Sequence, residues 1–428
     1  MKTKSEIQKL IAEALQKAFS TAVPAGEIHL EHPADRSHGD WATNVAMTLT
    51  KDLGQNPRQI AEQLVAAFPQ NEIVEKVEVA GPGFINFYIN PGLYKTLLSQ
   101  IDDKYGYHKL MVGKTLMIEF GQPNTHKEFH VGHLKSAISG LAISNMMEAL
   151  GYKVLRVNYF GDVGLQVAKS TWGFMQKDRP GDFENWDVHK KMKYVDECYV
   201  FGSQQMKEDP KVEAEIREIN KQVYARASTP AVEVYGQIRE WSIEHVNLVF
   251  AKLGVVYDRQ YPESEVDAEA VKIVKEHIGE IFVESEEAII YDGKQEGLTT
   301  WVFITKEGLP TYSAKDLALA YKKFAEYNPD LSIVTTSVEQ RDYFKVVIRA
   351  LERIDSKFVG KYMNLPFGWL LRNNKKASSR MGENVKGVDI LHEAEELAIQ
   401  KIKVDKSYDA QEKARIAELI SLAGLKFL

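Results

Sequence analysis

Residues 119–133 read EFGQPNTHKEFHVGH and load one short stretch with groups that can hold a charged ligand. His130 and His133 stand three apart with Gly132 between them. On the first turn of a helix that spacing turns both imidazoles the same way, and a glycine leaves room for something flat, an adenine ring or a triphosphate, against the backbone. Lys127 adds a cation just before them, and Glu119, at the head of the stretch, adds a carboxylate.

The flanking pattern predicts the elements that position these groups. Leu116-Met117-Ile118, bounded by Gly113 and by Gly121-Gln122-Pro123, reads as a buried strand. Leu134, Ile138, Leu141, Ala142 and Ala149 recur at helical spacing, Gly151 follows as a C-cap, and Val154–Val157 reads as a second strand. A strand, helix, strand unit sets the loop at the strand's carboxyl end over the first helical turn, where unpaired backbone amides favour an anion. A phosphate fits there.

Other chemistries compete for the same residues. His126, His130 and His133 are spaced i, i+4, i+7, which on one helix face would suit zinc. No HExxH is present and Cys198 is the only cysteine, so a metal site is the lesser alternative and no metal ligand is assigned. A plainer alternative is that the histidines only cap a helix. Val112-Gly113-Lys114-Thr115 mimics the end of a P-loop, but His108 stands where the first glycine is required and the segment precedes a strand, so it is rejected.

The 428 residues leave room for two or three domains. A composition of 27% charged and 44% hydrophobic residues is that of a globular protein. One cysteine excludes a disulfide framework, and the lysine-studded amphipathic start is no signal peptide. No run reaches membrane-spanning length. A cytoplasmic protein with no membrane partner is expected. The net charge of -6 argues against a generally basic surface while allowing a local basic patch.

Residues 1 to about 100 read as a small α+β domain: a helix Ile7–Phe19, then Ile28–Leu30, then Gly39–Asn44 opening a helix, then Val77–Val79, and finally the turn and strand Gly81–Ile89. Residues 108 to about 390 form an α/β, Rossmann-like parallel-sheet domain. It is interrupted from about 170 to 260 by long helical patterns such as Glu213–Ala225 and Ala231–Leu253. Strands return at Ala288–Tyr291, Trp301–Ile304 and Ile333-Val334, and residues 391–428 read as the start of a helical domain.

His130-Val131-Gly132-His133 resembles the HIGH signature of class I aminoacyl-tRNA synthetases, and the longer string PNTHKEFHVGHLKS resembles the arginyl members of that class. HGDWATNVA and AGPGFINFYI resemble two signatures of the same family's N-terminal domain, which contacts the tRNA elbow. By that resemblance Asn86 and Tyr88 would touch tRNA. Lys375–Gly382 (KKASSRMG) looks like a degenerate form of the second class I signature, KMSKS, with Lys376 and Ser378 expected at ATP. The second signature lysine is replaced by Ser379, a loss that Lys127 is expected to offset in this family.

The resemblance also implies a substrate set. A guanidinium needs carboxylates in a fixed planar arrangement. Glu119, at a strand's carboxyl end, and Tyr312 with Asp316, one helical turn apart, are the expected readers of an arginine side chain. Asn124 and Gln340 match residues that hold the substrate's carboxylate and α-amino group. Gly121-Gln122 replaces the usual Ser-Ser, so Gln122 must stand in for a serine hydroxyl, and Val163 replaces a tryptophan in Gly161-Asp162-Val163-Gly164. Gly161, Asp162 and Gly164 would border the adenosine, and Gly132 the triphosphate.

The implied reaction joins L-arginine to ATP with Mg2+ and passes the arginyl group to the 3′ end of tRNA-Arg. His130, His133, Lys127 and Lys376 would stabilise the charge that grows on phosphate oxygens. The last residues, ISLAGLKFL, resemble only the beginning of the family's anticodon-binding domain, so a truncated chain is expected, with a separate chain as one possible source of the rest. Two alternatives stand beside this: a non-catalytic tRNA-binding or regulatory paralogue, and an HxGH nucleotidyltransferase acting on another small acid.

Overall fold

The computed structural model describes residues 2–99, 101–368, 371–372, 375–376, 386–402 and 408–427. The chain divides into two compact units, residues 1–106 and 107–428.

In the first unit, helix α1 (Lys2–Phe19) carries Ile7, Ile11, Ala14 and Leu15 on one stripe and buries it with Ile60, Ala61 and Leu64 of a later helix. Strand β1 (Trp41–Thr43) is followed by short helices α2 (Val45–Thr48) and α3 (Thr50–Leu53), by α4 (Pro57–Ala67), by strands β2 (Val74–Ala80) and β3 (Phe84–Ile89), and by α5 (Pro91–Leu98). The strands form an antiparallel sheet in the order β1-β3-β2. Trp41–Thr43, expected to open a helix, is instead an edge strand, because Trp41, Ala42 and Thr43 pair with Phe87, Asn86 and Ile85; the helix starts at Val45. Gly39 is required by a close approach: at φ 94° a Cβ there would lie 2.7 Å from the Phe87 carbonyl oxygen.

The second unit is built on a parallel sheet, β11-β10-β4-β5-β6. Strand β4 (Thr115–Glu119), helix α6 (Val131–Ala149) and strand β5 (Lys153–Phe160) form the expected strand, helix, strand unit. Met117 faces one core, with Val157, Tyr261 and Val334, while Leu116 and Ile118 face another, with Leu134, Phe250 and Ile333. Both faces are covered, which is why the strand reads as an unbroken apolar run. Helices α7 (Leu165–Gln176), α8 (Val188–Glu208), α9 (Pro210–Tyr224) and α10 (Pro230–Lys252) form the helical insertion before strand β6 (Arg259–Pro262) and helix α11 (Asp267–Glu276).

The expected strands β8 (Ala288–Tyr291) and β9 (Trp301–Ile304) are present and, with β7 (Val283–Ser285), make a separate antiparallel sheet beside the parallel one. The local cause is a two-residue turn, Glu286-Glu287, with both φ values positive at 50° and 65°. So tight a connection allows only antiparallel pairing.

Helix α12 (Tyr312–Tyr327), strand β10 (Leu331–Ser337), helix α13 (Arg341–Ile354) and strand β11 (Tyr362–Phe367) complete the sheet layer. Two short strands, β12 (Leu371–Arg372) and β13 (Lys375–Lys376), pair antiparallel. Helices α14 (Gly387–Lys401) and α15 (Ala410–Phe427) follow, with Leu391, Leu422 and Leu425 packed into the core beside α6. Among the described residues no helix is long and apolar enough to cross a membrane.

Candidate active site

The connection from β4 to α6 is held open by specific bonds. Gln122 sits at φ 48°, with its N–H on Asn158 Oδ1 at 3.1 Å, and the Gly121 N–H donates to Ser136 Oγ at 2.9 Å. The Gln122 side chain turns back and donates from Nε2 to Glu119 Oε1 at 2.9 Å. Asn124 lies beside Gly161 in a parallel bridge, supported by Thr125 N–H to Gly161 O at 2.8 Å and Gly161 N–H to Pro123 O at 3.1 Å. The loops after β4 and β5 are therefore stitched together.

His126 is not on the helix. It is buried at φ 62°, its N–H bonds Ser242 Oγ at 2.9 Å, its Nδ1 lies 2.9 Å from Thr125 Oγ1, and its ring stacks on Tyr235. Burial takes its pKa down to about 3. Because α6 begins at Val131, the i, i+4, i+7 spacing does not fall on one helix, and among the described residues no three His, Cys, Asp or Glu could hold a metal ion.

His130 and His133 form a capping box at the N-terminus of α6. The Gly132 N–H donates to His130 Nδ1 at 3.1 Å, the His130 N–H points to His133 Nδ1 at 3.4 Å, and the rings stack at 3.6 Å. Burial, reinforced by Lys127, takes His130 down to about 4; burial, His130 and Lys127 hold His133 well below the usual imidazole range. Both rings are neutral at pH 7. Since each Nδ1 accepts a backbone N–H, the ring proton sits on each Nε2, which makes both Nε2 atoms donors. Capping through Nδ1 is thus compatible with donation from both Nε2 atoms. The room expected over Gly132 is taken by the His130 ring itself, 2.9 Å from where a Cβ would stand.

Lys127 lies with Nζ 4.3 Å from the Tyr199 ring on α8. Glu128 pairs with Lys386, and the Gly387 N–H donates to Phe129 O at 2.8 Å, so the chain entering α14 is fastened to the histidine turn. Lys376 lies in β13, while Ser378 and Ser379 lie outside the described residues.

The loop after β5 differs from expectation at Asp162. Its buried carboxylate accepts from Arg239 Nε at 2.8 Å, from Ser264 N–H at 2.8 Å and from Ser264 Oγ at 2.7 Å, so it ties β5 to α10 and to the chain after β6 instead of facing a ligand. Gly164, at φ 111°, precedes α7, and Val163 is buried in the insertion core.

Beyond Glu119 lies a cluster of buried charged side chains. Lys323 of α12 binds Glu119 Oε2, so both oxygens of the expected guanidinium reader already have partners. Glu263, just after β6, pairs with Lys315 at 2.5 Å, and both are buried. Asp316 accepts from Tyr343 OH at 2.5 Å; burial, with the neighbouring Glu119 charge, pushes its pKa up to about 7. The hydroxyl of Tyr159, on β5, is buried without a hydrogen-bond partner among the described residues, in the field of Glu263, Asp316 and Glu119. Tyr312 stands at the outer rim, 49% exposed, and Gln340 is exposed at the N-cap of α13. In the first unit, Asn86 is 5% exposed within the central strand, while Tyr88 is half-buried with its OH on Ser37 O at 3.1 Å, so of the two only Tyr88 offers a side chain to solvent.

Glu263, Lys315, Lys323, Tyr343 and Tyr159 are the pocket residues that the sequence reading passes over. One signal was available: Lys323 follows Asp316 at i+7, on a helix face otherwise occupied by Ala320 and Phe324.

Residues 95–428 match the family described as tRNA synthetases class I (R), catalytic domain, and residues 5–89 match the arginyl tRNA synthetase N terminal domain. An arginine–tRNA ligase of Idiomarina loihiensis is 30% identical over 445 residues, covering 99% of this chain and 75% of the relative. One of Fusobacterium nucleatum is 27% identical, covering 97% of this chain and 73% of the relative. Among solved structures, the Thermus thermophilus arginyl-tRNA synthetase superposes with a TM-score of 0.64 at 20% identity, covering 99% of this chain and 74% of that one. The Plasmodium falciparum arginyl-tRNA synthetase gives 0.64 at 18% identity, with 99% and 73% covered.

Proposed function

This chain belongs to the arginyl family of class I tRNA synthetases, and from that membership we propose that it is an ATP-dependent arginine–tRNA ligase. Its substrates are L-arginine, ATP and tRNA-Arg; its products are arginyl-tRNA, AMP and pyrophosphate. One observation supports this above the others: the same β4–α6 connection joins a helix N-terminus bearing two neutral imidazoles, each with Nε2 as its donor, to a buried acidic cluster with one carboxylate unmatched by a cation, Asp316.

In this reading the side chain of arginine enters the pocket toward Asp316 with Tyr312 at the rim, and Asn124, Gln122 and Gln340 hold its main-chain groups. Glu119 shapes the pocket wall through Gln122 and Lys323. The arginine carboxylate attacks the α-phosphate in line; the bond to pyrophosphate breaks as the new acyl–phosphate bond forms. His130 and His133 donate from Nε2 to phosphate oxygens, and Lys127 and Lys376 add positive charge, so no protein nucleophile is required. Gly161 and Gly164 border the adenosine. Mg2+ would come with the triphosphate, whose oxygens and bound waters supply its ligands and whose charge it offsets. A ribose hydroxyl of the tRNA then takes the arginyl group.

A cytoplasmic location belongs to the same proposal, in keeping with a translation enzyme whose one cysteine, Cys198, is a buried free thiol. Separation of charged from uncharged tRNA-Arg after incubation with L-arginine and ATP tests the function. Arginyl-tRNA accumulating with time supports it; tRNA that binds but is never charged would favour the non-catalytic paralogue.

A further inference from the structure

The acidic pocket holds its own cations. Lys323 is 0% exposed and sits on Glu119, with Tyr362 OH 3.5 Å from Nζ, and the second Glu119 oxygen takes the Gln122 amide at 2.9 Å. Lys315 matches Glu263 in the same way, at 2.5 Å. The carboxylates just outside, Asp162 and Asp267, are matched by Arg239 and Arg226. Asp316 differs: it accepts from the Tyr343 hydroxyl, and among the described residues no cationic side chain lies within ion-pair distance of it. With Asp316 ionised, Glu119, Glu263 and Asp316, set against Lys315 and Lys323, leave the cluster one negative charge.

We propose that Lys323 is a positioning residue that sets the charge count of the pocket. It occupies Glu119, so that Asp316 alone is left to an incoming guanidinium. The inference rests on the arginine-ligase reading and reverses the role that sequence reasoning gives Glu119. Its physical basis is the cost of an unmatched buried charge. A carboxylate removed from water without a counter-charge is strongly disfavoured, whereas a pair removed together, or replaced together by neutral groups of similar size, is tolerated. With one charge unmatched, one guanidinium completes the pocket. With two unmatched, a second cation or a proton would have to enter with every substrate. Lys323 need not touch arginine to act this way; its effect passes through Glu119.

A charge cycle tests this. Wild type, Lys323→Met, Glu119→Gln and the double variant Glu119→Gln/Lys323→Met are compared by arginine-dependent ATP–pyrophosphate exchange in the presence of tRNA, with thermal midpoints for all four. Each single variant should raise KM for arginine about tenfold or more, the scale of one buried polar group left unmatched, with KM for ATP within about twofold. The double variant keeps one net negative charge and should return KM for arginine to within about threefold of wild type, with a thermal midpoint above both singles. A double variant no better than Glu119→Gln would mean that Glu119 itself contacts the guanidinium, and the inference would be overturned. So would a Lys323→Met enzyme with unchanged KM for arginine. If Lys323→Met does not fold, the comparison of the double variant with Glu119→Gln still decides. Wild type without arginine-dependent exchange would remove the ligase reading together with this inference; an arginine-dependent wild type with no recovery in the double variant would remove this inference alone.

Discussion

In the proposed reading Asp316 holds the substrate's guanidinium, and burial with the neighbouring Glu119 charge makes that binding depend on pH. With a pKa near 7, the carboxyl is increasingly neutral as the pH falls from 8 to 6, so KM for arginine should rise over that interval while KM for ATP stays level. Asp316→Asn should raise KM for arginine and flatten the dependence. The histidines do not contribute to this profile, because His130 stays neutral down to about 4 and His133 is likewise held well below the usual range. The same shift has a consequence for stability, with the opposite preference. The folded-state pKa lies above the unfolded one, so the native state binds the extra proton between about 4 and 7, and stability falls as pH rises through that window. Asp316→Asn should therefore raise the melting temperature at pH 8 and change it little at pH 4. A melting temperature insensitive to the substitution at both pH values would contradict the assignment of the titration to Asp316. The residue scale also shows where sequence reading stops. Asp316 and Glu119 were legible as carboxylates on a helix start and at a strand's carboxyl end, but the partner of Glu119 lies 204 residues away in Lys323, and no local spacing encodes such a pair.

The N-terminus of α6 joins structure and chemistry in one element. His130 caps the helix through Nδ1 and is left with Nε2 as its donor, so the cap and the proposed donor role can be separated by substitution. His130→Ala should lose both, costing about 1 kcal/mol of stability for the cap and slowing adenylate formation. His130→Asn, with an amide oxygen that also caps, should recover stability without recovering the rate. Thermal melts alongside pyrophosphate exchange would distinguish these, and full activity in His130→Asn would deny the ring a part in the chemistry. His133→Ala removes one donor to the growing phosphate charge and should lower turnover about 10²–10³-fold. Lys127, held over Tyr199 of the insertion, should behave alike: Lys127→Ala slows adenylate formation and leaves arginine binding within about twofold, as removal of one charged transition-state donor would. Elements with local periodicity, such as β4, α6, β5 and the insertion helices, were legible in the sequence. The strand fixed by distant pairing was not: Trp41–Thr43 became a strand because Ile85–Phe87 lie beside it.

For the molecule as a whole, the two units match two parts of one family, and the chain spans about three quarters of its relatives' length. With a net charge of -6, tRNA binding is expected to rely on local basic surface. Affinity should therefore fall steeply between 50 and 200 mM salt, as counterions released from phosphates demand. A salt-independent affinity would argue against that mode. Tyr88→Ala should weaken tRNA binding and leave KM for arginine unchanged. The central claim is that the charged pocket and the two histidines serve arginine activation, and the most direct test is ATP–pyrophosphate exchange by this chain with each amino acid in turn, with and without tRNA-Arg. Exchange with arginine in the presence of tRNA, far above lysine or ornithine, is the predicted result; equal exchange with lysine, or none with any amino acid in either condition, would contradict it.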